Sequence, residues 1–164
     1  MKLPAGKKAI LVLGLPLGLA AAGGLAFMQL SAPPPVPVEV PEPAEGQHGV
    51  LLALEERVIN LQQAGLYRYA KIGVTVEIRP ESASFYELAG EARAHAEEEA
   101  VLHHEASVPL LLDALGGVVS AKDSKTLTAP EGRAELKTEV LEAFRHVLGE
   151  HEVLDVYFTD LVMQ

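Results

Sequence analysis

Apolar and polar residues alternate along Arg68 to Ile78. Ala70, Ile72, Val74, Val76 and Ile78 fall on one side; Lys71, Gly73, Thr75, Glu77 and then Arg79 fall on the other. A period of two is that of a strand with one buried face. Val153 to Met163, rich in β-branched and aromatic residues, predicts a second strand. Its apolar face carries Leu154, Val156, Phe158 and Val162, with Asp160 interrupting that face near the chain end.

Between these strands the period becomes helical. Ser84 is placed to cap a helix with Glu87 as its capping-box partner, which predicts a long acidic helix from Ser84 to about Glu105. Ser107 and Pro109 mark a fresh start, and Val108, Leu111, Leu112 and Leu115 give a second apolar stripe that Gly116 and Gly117 weaken. A third helix begins near Pro130, with Thr128 and Glu131 as capping candidates. It carries Leu136, Val140, Leu141, Phe144, Val147 and Leu148 on one face and ends at Gly149. Leu51 to Leu61 fits two templates: Leu51, Leu54, Val58 and Leu61 form a helical stripe, whereas Val58-Ile59-Asn60-Leu61 reads as a short strand. Helices inserted between strands predict an α+β layer architecture, with helical stripes covering one face of an antiparallel sheet.

The N-terminal pattern is different in kind. No charge occurs from Ala9 to Met28, and a helix of these residues would extend roughly 30 Å, the thickness of a bilayer core. The expected organisation is a short N-terminus (1–8), a transmembrane helix (9–30), a proline-rich linker (31–48) and a folded domain (49–164). Lys2, Lys7 and Lys8 then place the N-terminus in the cytoplasm and the domain outside it. A cleaved signal peptide is the competing reading; the length of the run and the poor context Leu30-Ser31-Ala32 before Pro33 favour an anchor. Pro33, Pro34, Pro35, Pro37, Pro41 and Pro43 favour an extended spacer. About fifteen such residues at roughly 3.1 Å each would reach some 45 Å.

Charge narrows the classes of partner. All twenty-three acidic residues follow residue 31, against ten basic ones there, so this part carries a net charge of −13 and repels nucleic acid. The absence of cysteine excludes disulfides, thiolate metal sites and a thiol nucleophile. His95, Glu99 and His103 recur at four-residue steps on one side of the acidic helix, a spacing compatible with a metal. They do not form His-Glu-x-x-His, and a solvated acidic face is the competing reading. Glu97, Glu98 and Glu99 point in different directions around the same helix. Ser120, Lys122, Asp123 and Ser124 offer a hydroxyl and an amine, but no oxyanion donor or orienting residue follows from their spacing. Gly14, Gly18, Gly23 and Gly24 lie in the apolar run and are not a nucleotide signature. These tests identify no catalytic, cofactor-binding or metal residues.

Four separated segments carry a family resemblance: Val58-Ile59-Asn60-Leu61; Arg68-Tyr69-Ala70-Lys71-Ile72; Ser120-Ala121-Lys122 with Leu127-Thr128-Ala129-Pro130-Glu131-Gly132; and Val156-Tyr157-Phe158-Thr159-Asp160-Leu161-Val162-Met163-Gln164. In this order, behind an apolar run and a proline-rich tether, they resemble the flagellar basal body-associated protein FliL family. Glu56-Arg57 departs from the Pro and aromatic residues often seen before the first motif. The resemblance implies a stomatin-like extracytoplasmic domain, a strand at Val58 to Leu61, a homo-oligomeric ring, and contact with the flagellar stator and basal body at the inner membrane. It implies support of torque in swimming or swarming, and no enzymatic activity, cofactor or small-molecule substrate. The alternatives are a stomatin-like membrane scaffold unrelated to motility and an anchored metal-binding protein using His95 and His103.

Overall fold

The strand pattern organises the structure, a computed structural model that describes residues 43–44, 46–62 and 66–164. These lie within one compact unit, Glu39–Gln164. The expected span over 9–30 and most of the linker over 31–48 lie outside the described residues. Among the described residues, no helix is long and apolar enough to cross a membrane.

Four strands form one antiparallel sheet: β1 (Val50–Ala53), β2 (Arg57–Asn60), β3 (Tyr69–Ile78) and β4 (Val153–Met163). β4 pairs with β3 from Ala70 to Ile78. β1 pairs with the Thr75–Ile78 half of β3, and β2 with its Tyr69–Ile72 half. Because β4 occupies one whole edge of β3, β1 and β2 must share the other. The ambiguous segment therefore forms two short strands. One long strand is paired along its length on both sides, which is why β3 carries the alternation read most clearly from the sequence.

Ala70, Ile72, Val74, Val76 and Ile78 are all buried, as the alternation requires. In β4 the register shifts twice, so the pairing passes from Val153↔Ile78 to Asp155↔Glu77, and from Phe158↔Val74 to Asp160↔Gly73. Each extra residue, first Leu154 and then Thr159, reverses the inward and outward sides of the strand. Val153, Val156, Phe158, Leu161 and Met163 face the core, while Val162 is exposed. The uniform face expected for β4 is corrected accordingly. Asp160 does not interrupt the apolar side; it lies on the other face.

Among the described residues four α-helices complete the fold: α1 (Gly90–His104), α2 (Val108–Ser120), the short α3 (Ser124–Thr128) and α4 (Pro130–Leu148). Leu111, Leu115 and Val119 of α2 and Leu136, Val140 and Phe144 of α4 are buried in the core with the inward face of β3. The glycines do not end α2, which continues through Gly116 and Gly117 to Ser120. The expected start at Ser84 gives way to a 3₁₀ turn over Ala83–Glu87, capped by Ser82, whose hydroxyl accepts from the Ser84 amide. Extended Leu88 and Ala89 follow, and α1 begins only at Gly90. The buried Phe85 and the core-packed Leu88 hold this turn against the domain. At the third helix, Thr128 is not a cap: its hydroxyl donates to the Ser124 and Lys125 carbonyls within α3. Gly149 ends α4 at φ 122°, a conformation that favours glycine.

Candidate functional site

The outward face of the sheet carries no helix residue of the core, and it presents two polar clusters separated along β3. At the Tyr69 end, Val58, Lys71 and Val162 stand in one cross-strand row on β2, β3 and β4. Lys71 Nζ donates to Asp160 at 3.1 Å and lies 2.8 Å from Glu56, and these carboxylates raise its pKa. Apolar groups frame this ion cluster: Val58 is 64% exposed, Tyr69 45% and Val162 44%, and Leu66 and Tyr67 of the preceding loop are also exposed. Exposed apolar and aromatic side chains beside a satisfied ion cluster make a surface suited to a protein partner.

Backbone bonds join the first, second and fourth motif segments at this corner, and the third reaches its edge through Lys122. Leu61 N–H donates to Arg68 O at 2.8 Å, and the Arg68 and Tyr69 amides both donate to Gln164 O at 2.9 Å. Gln164 N–H returns a bond to Tyr69 O at 2.8 Å, while Gln62 N–H reaches Lys122 O at 2.9 Å. The chain-terminal motif thus closes the sheet against the start of β3, and its side chains supply part of the exposed surface.

A family model for flagellar basal body-associated protein FliL matches residues 51–164. The chain belongs to this family. The chain is also similar to "Flagellar protein FliL" of Aquifex aeolicus (strain VF5), 30% identical over 127 residues that cover 77% of this chain and 68% of that protein. The match contains all four motif segments, so membership in a family of flagellar basal body-associated proteins rests on the part of the chain whose architecture is described.

At the opposite end of β3, Glu77 is only 4% exposed although it belongs to the outward face. Its Oε1 accepts from the Gly49 amide at 2.7 Å and lies 3.7 Å from His48 Nδ1, while its Oε2 accepts a short hydrogen bond from the Tyr157 hydroxyl. That bond, with burial, pushes the Tyr157 pKa up to about 12, keeping the phenol a neutral donor at physiological pH. The sequence placed Glu77 on the polar side of its strand and carried no signal of its burial: its register partner in β4 is Asp155, and Tyr157 reaches it diagonally from a position opposite Thr75.

His95, Glu99 and His103 all lie on exposed parts of α1. Among the described residues, no group of three or more His, Cys, Asp or Glu side chains is arranged to hold a metal ion. His103 instead meets His104 edge to face, with ring centroids 5.1 Å apart. Ser120 donates to Gly117 O, Lys122 Nζ donates to Glu139 at 2.5 Å, and Asp123 caps α3 by accepting from Thr126 N–H at 2.7 Å. Ser124 is buried. These contacts assign the Ser/Lys segment to helix ends and a helix-to-helix tie.

Partial burial, then the neighbouring His103, lower the pKa of His104, while Glu152 and Glu81 oppose the shift. A histidine whose folded pKa lies below its unfolded value favours the folded state when neutral. Its contribution is fully present above the unfolded value, about 6.5, and is lost as pH falls through the lower folded value. His104→Gln should therefore flatten the loss of melting temperature on acidification from pH 7.5 to 5. An identical slope in the variant and the parent would contradict this role.

Proposed function

We propose that the chain is a non-enzymatic accessory of the flagellar basal body that contacts the stator from outside the cytoplasmic membrane and supports torque. The carrying observation is the convergence of the first, second and fourth motif segments at one corner, where Val58, Tyr69 and Val162 remain exposed around the Lys71 ion cluster. In this reading residues 9–30 anchor the chain with residues 1–8 in the cytoplasm. Residues 31–48 are the spacer, and 49–164 form the stomatin-like domain that assembles into a ring. Confinement to the stator's membrane raises the effective concentration, so modest contacts suffice when the spacer can reach.

Deleting the gene should impair swimming or swarming, most clearly under load. Replacing Val58 and Tyr69 together by Ser should reproduce that defect while leaving the melting transition and membrane level of the protein intact. Normal motility at every load after deletion would overturn the motor reading. Full complementation by the double variant would overturn the assignment of this corner.

A further inference from the structure

The polar cluster around Glu77 gathers three elements on the two residues that lead into β1. Glu77 Oε1 takes the Gly49 amide at 2.7 Å, and Oε2 takes the hydroxyl of Tyr157 from β4, on the far side of β3. From the helical side, the Arg93 guanidinium of α1 donates to His48 O at 2.9 Å and to Phe85 O at 3.1 Å. The same guanidinium lies 3.8 Å over the Phe85 ring and is held by Glu97 at 2.6 Å. The amide and carbonyl of consecutive residues are thus fixed from opposite sides. Gly49 has no space for a side chain, because a Cβ there would lie 2.3 Å from Ile78 O.

We propose that this cluster is a mechanical clamp that stops tension on the N-terminal side of the chain from peeling β1 off the sheet. The inference rests on the reading that the chain is anchored through its N-terminal segment, since such an anchor delivers any load at His48 and Gly49. β1 has four residues and pairs on one edge only, beginning at Val50↔Ile78. A short edge strand pulled from its end loses its ladder bonds one after another. With the clamp engaged, release of Gly49 requires a charge-assisted bond to a buried carboxylate to break, and release of His48 requires an arginine bond to break as well. Charge-assisted bonds are roughly twice as strong as neutral ones. Load is thereby shared among β3, β4, α1 and the 3₁₀ turn before β1 moves.

Hydrogen exchange on the full chain in lipid nanodiscs tests the clamp, comparing the parent with Arg93→Gln and Tyr157→Phe. Arg93→Gln removes the guanidinium bond to His48 and the cation over the Phe85 ring, and Tyr157→Phe removes the bond by which β4 holds Glu77. Exchange at residues 49–53 should accelerate by roughly tenfold, while residues 70–78 of β3 and 156–163 of β4 stay as protected as in the parent. Pulling the full chain between Gln47→Cys and Gln164→Cys, possible because it has no cysteine of its own, should show a first rupture at lower force in both variants. Unchanged exchange at 49–53 in both variants would overturn the clamp, as would acceleration spread equally over β3 and β4, because the cluster would then serve only global stability. Anchoring is read separately: release of the full chain from membranes by a salt wash would overturn that reading whatever the exchange shows.

Discussion

A chain ending at Glu152 should fail to fold. β4 pairs with β3 at positions from Ala70 to Ile78, and it seals the core with Val153 and Val156, assisted by Phe158, Leu161 and Met163. Its removal uncovers one whole edge of β3 and the stripes of α2 and α4 that pack against the sheet. Fully burying one such side chain contributes about 1.5–3 kcal/mol. Losing two complete and three partial contributions consumes most of the roughly 5–15 kcal/mol that holds a domain together. Circular dichroism of the truncated chain should show no cooperative melt, and limited proteolysis should degrade it throughout. A transition of parental midpoint and amplitude would contradict this account of the sheet.

Gly132→Ala should be nearly as damaging. Gly132 is the third residue of α4, and a Cβ there would lie 1.9 Å from Thr126 O and 2.7 Å from its carbonyl carbon. Both obstacles are backbone, and α3 is joined to α4 through Ala129 alone, so neither helix can yield independently. Overpacking of this kind costs about 3 kcal/mol or more, which lowers the melting temperature by roughly 10 °C. Gly116→Ala and Gly117→Ala in α2 provide the contrast. A Cβ at either position meets nothing within 4 Å, and the added helix propensity should be neutral or stabilise by up to about 1 kcal/mol. Thermal melts of the three variants separate these expectations, and equal effects at Gly132 and Gly116 would contradict the packing described.

In the sequence these three glycines look alike. What separates them is the approach of α3 to α4, a tertiary fact that no local pattern carries. The same limit explains the other differences. β3 was legible because it is paired on both edges with one side in the core, so its alternation is unbroken from Ala70 to Ile78. β4 was legible as a strand but not in its facing, since two extra residues shift its period while leaving its composition unchanged. α1 was recognised as an acidic helix, yet its start moved because the Ser82 cap opens a separate 3₁₀ turn, which the packing of Phe85 and Leu88 holds against the domain. β1 and β2 remained ambiguous because four-residue strands are too short for periodicity to decide.

The candidate surface was partly legible. Val58, Tyr69, Lys71 and Val162 were all present in the segments that carry the family resemblance, but their meeting at one corner depends on strand pairing between residues about a hundred positions apart. Glu77 was read as an outward polar residue. Its burial arises because the lead-in to β1 and Tyr157 close over it from two sides. Periodicity reports the side of the strand a residue occupies and says nothing about what later covers that side.

The central claim is contact between the exposed corner and the stator, and site-specific photocrosslinking in motile cells tests it most directly. A photoreactive residue placed at Val58, Tyr69 or Val162 in the full chain should crosslink to a stator subunit, whereas one at exposed Glu142 of α4, on the helical side of the domain, should not. The account predicts stator adducts from the corner positions in cells that swim normally. Equal yields from Glu142 and the corner, or no stator adduct from any corner position while the cells remain motile, would contradict it.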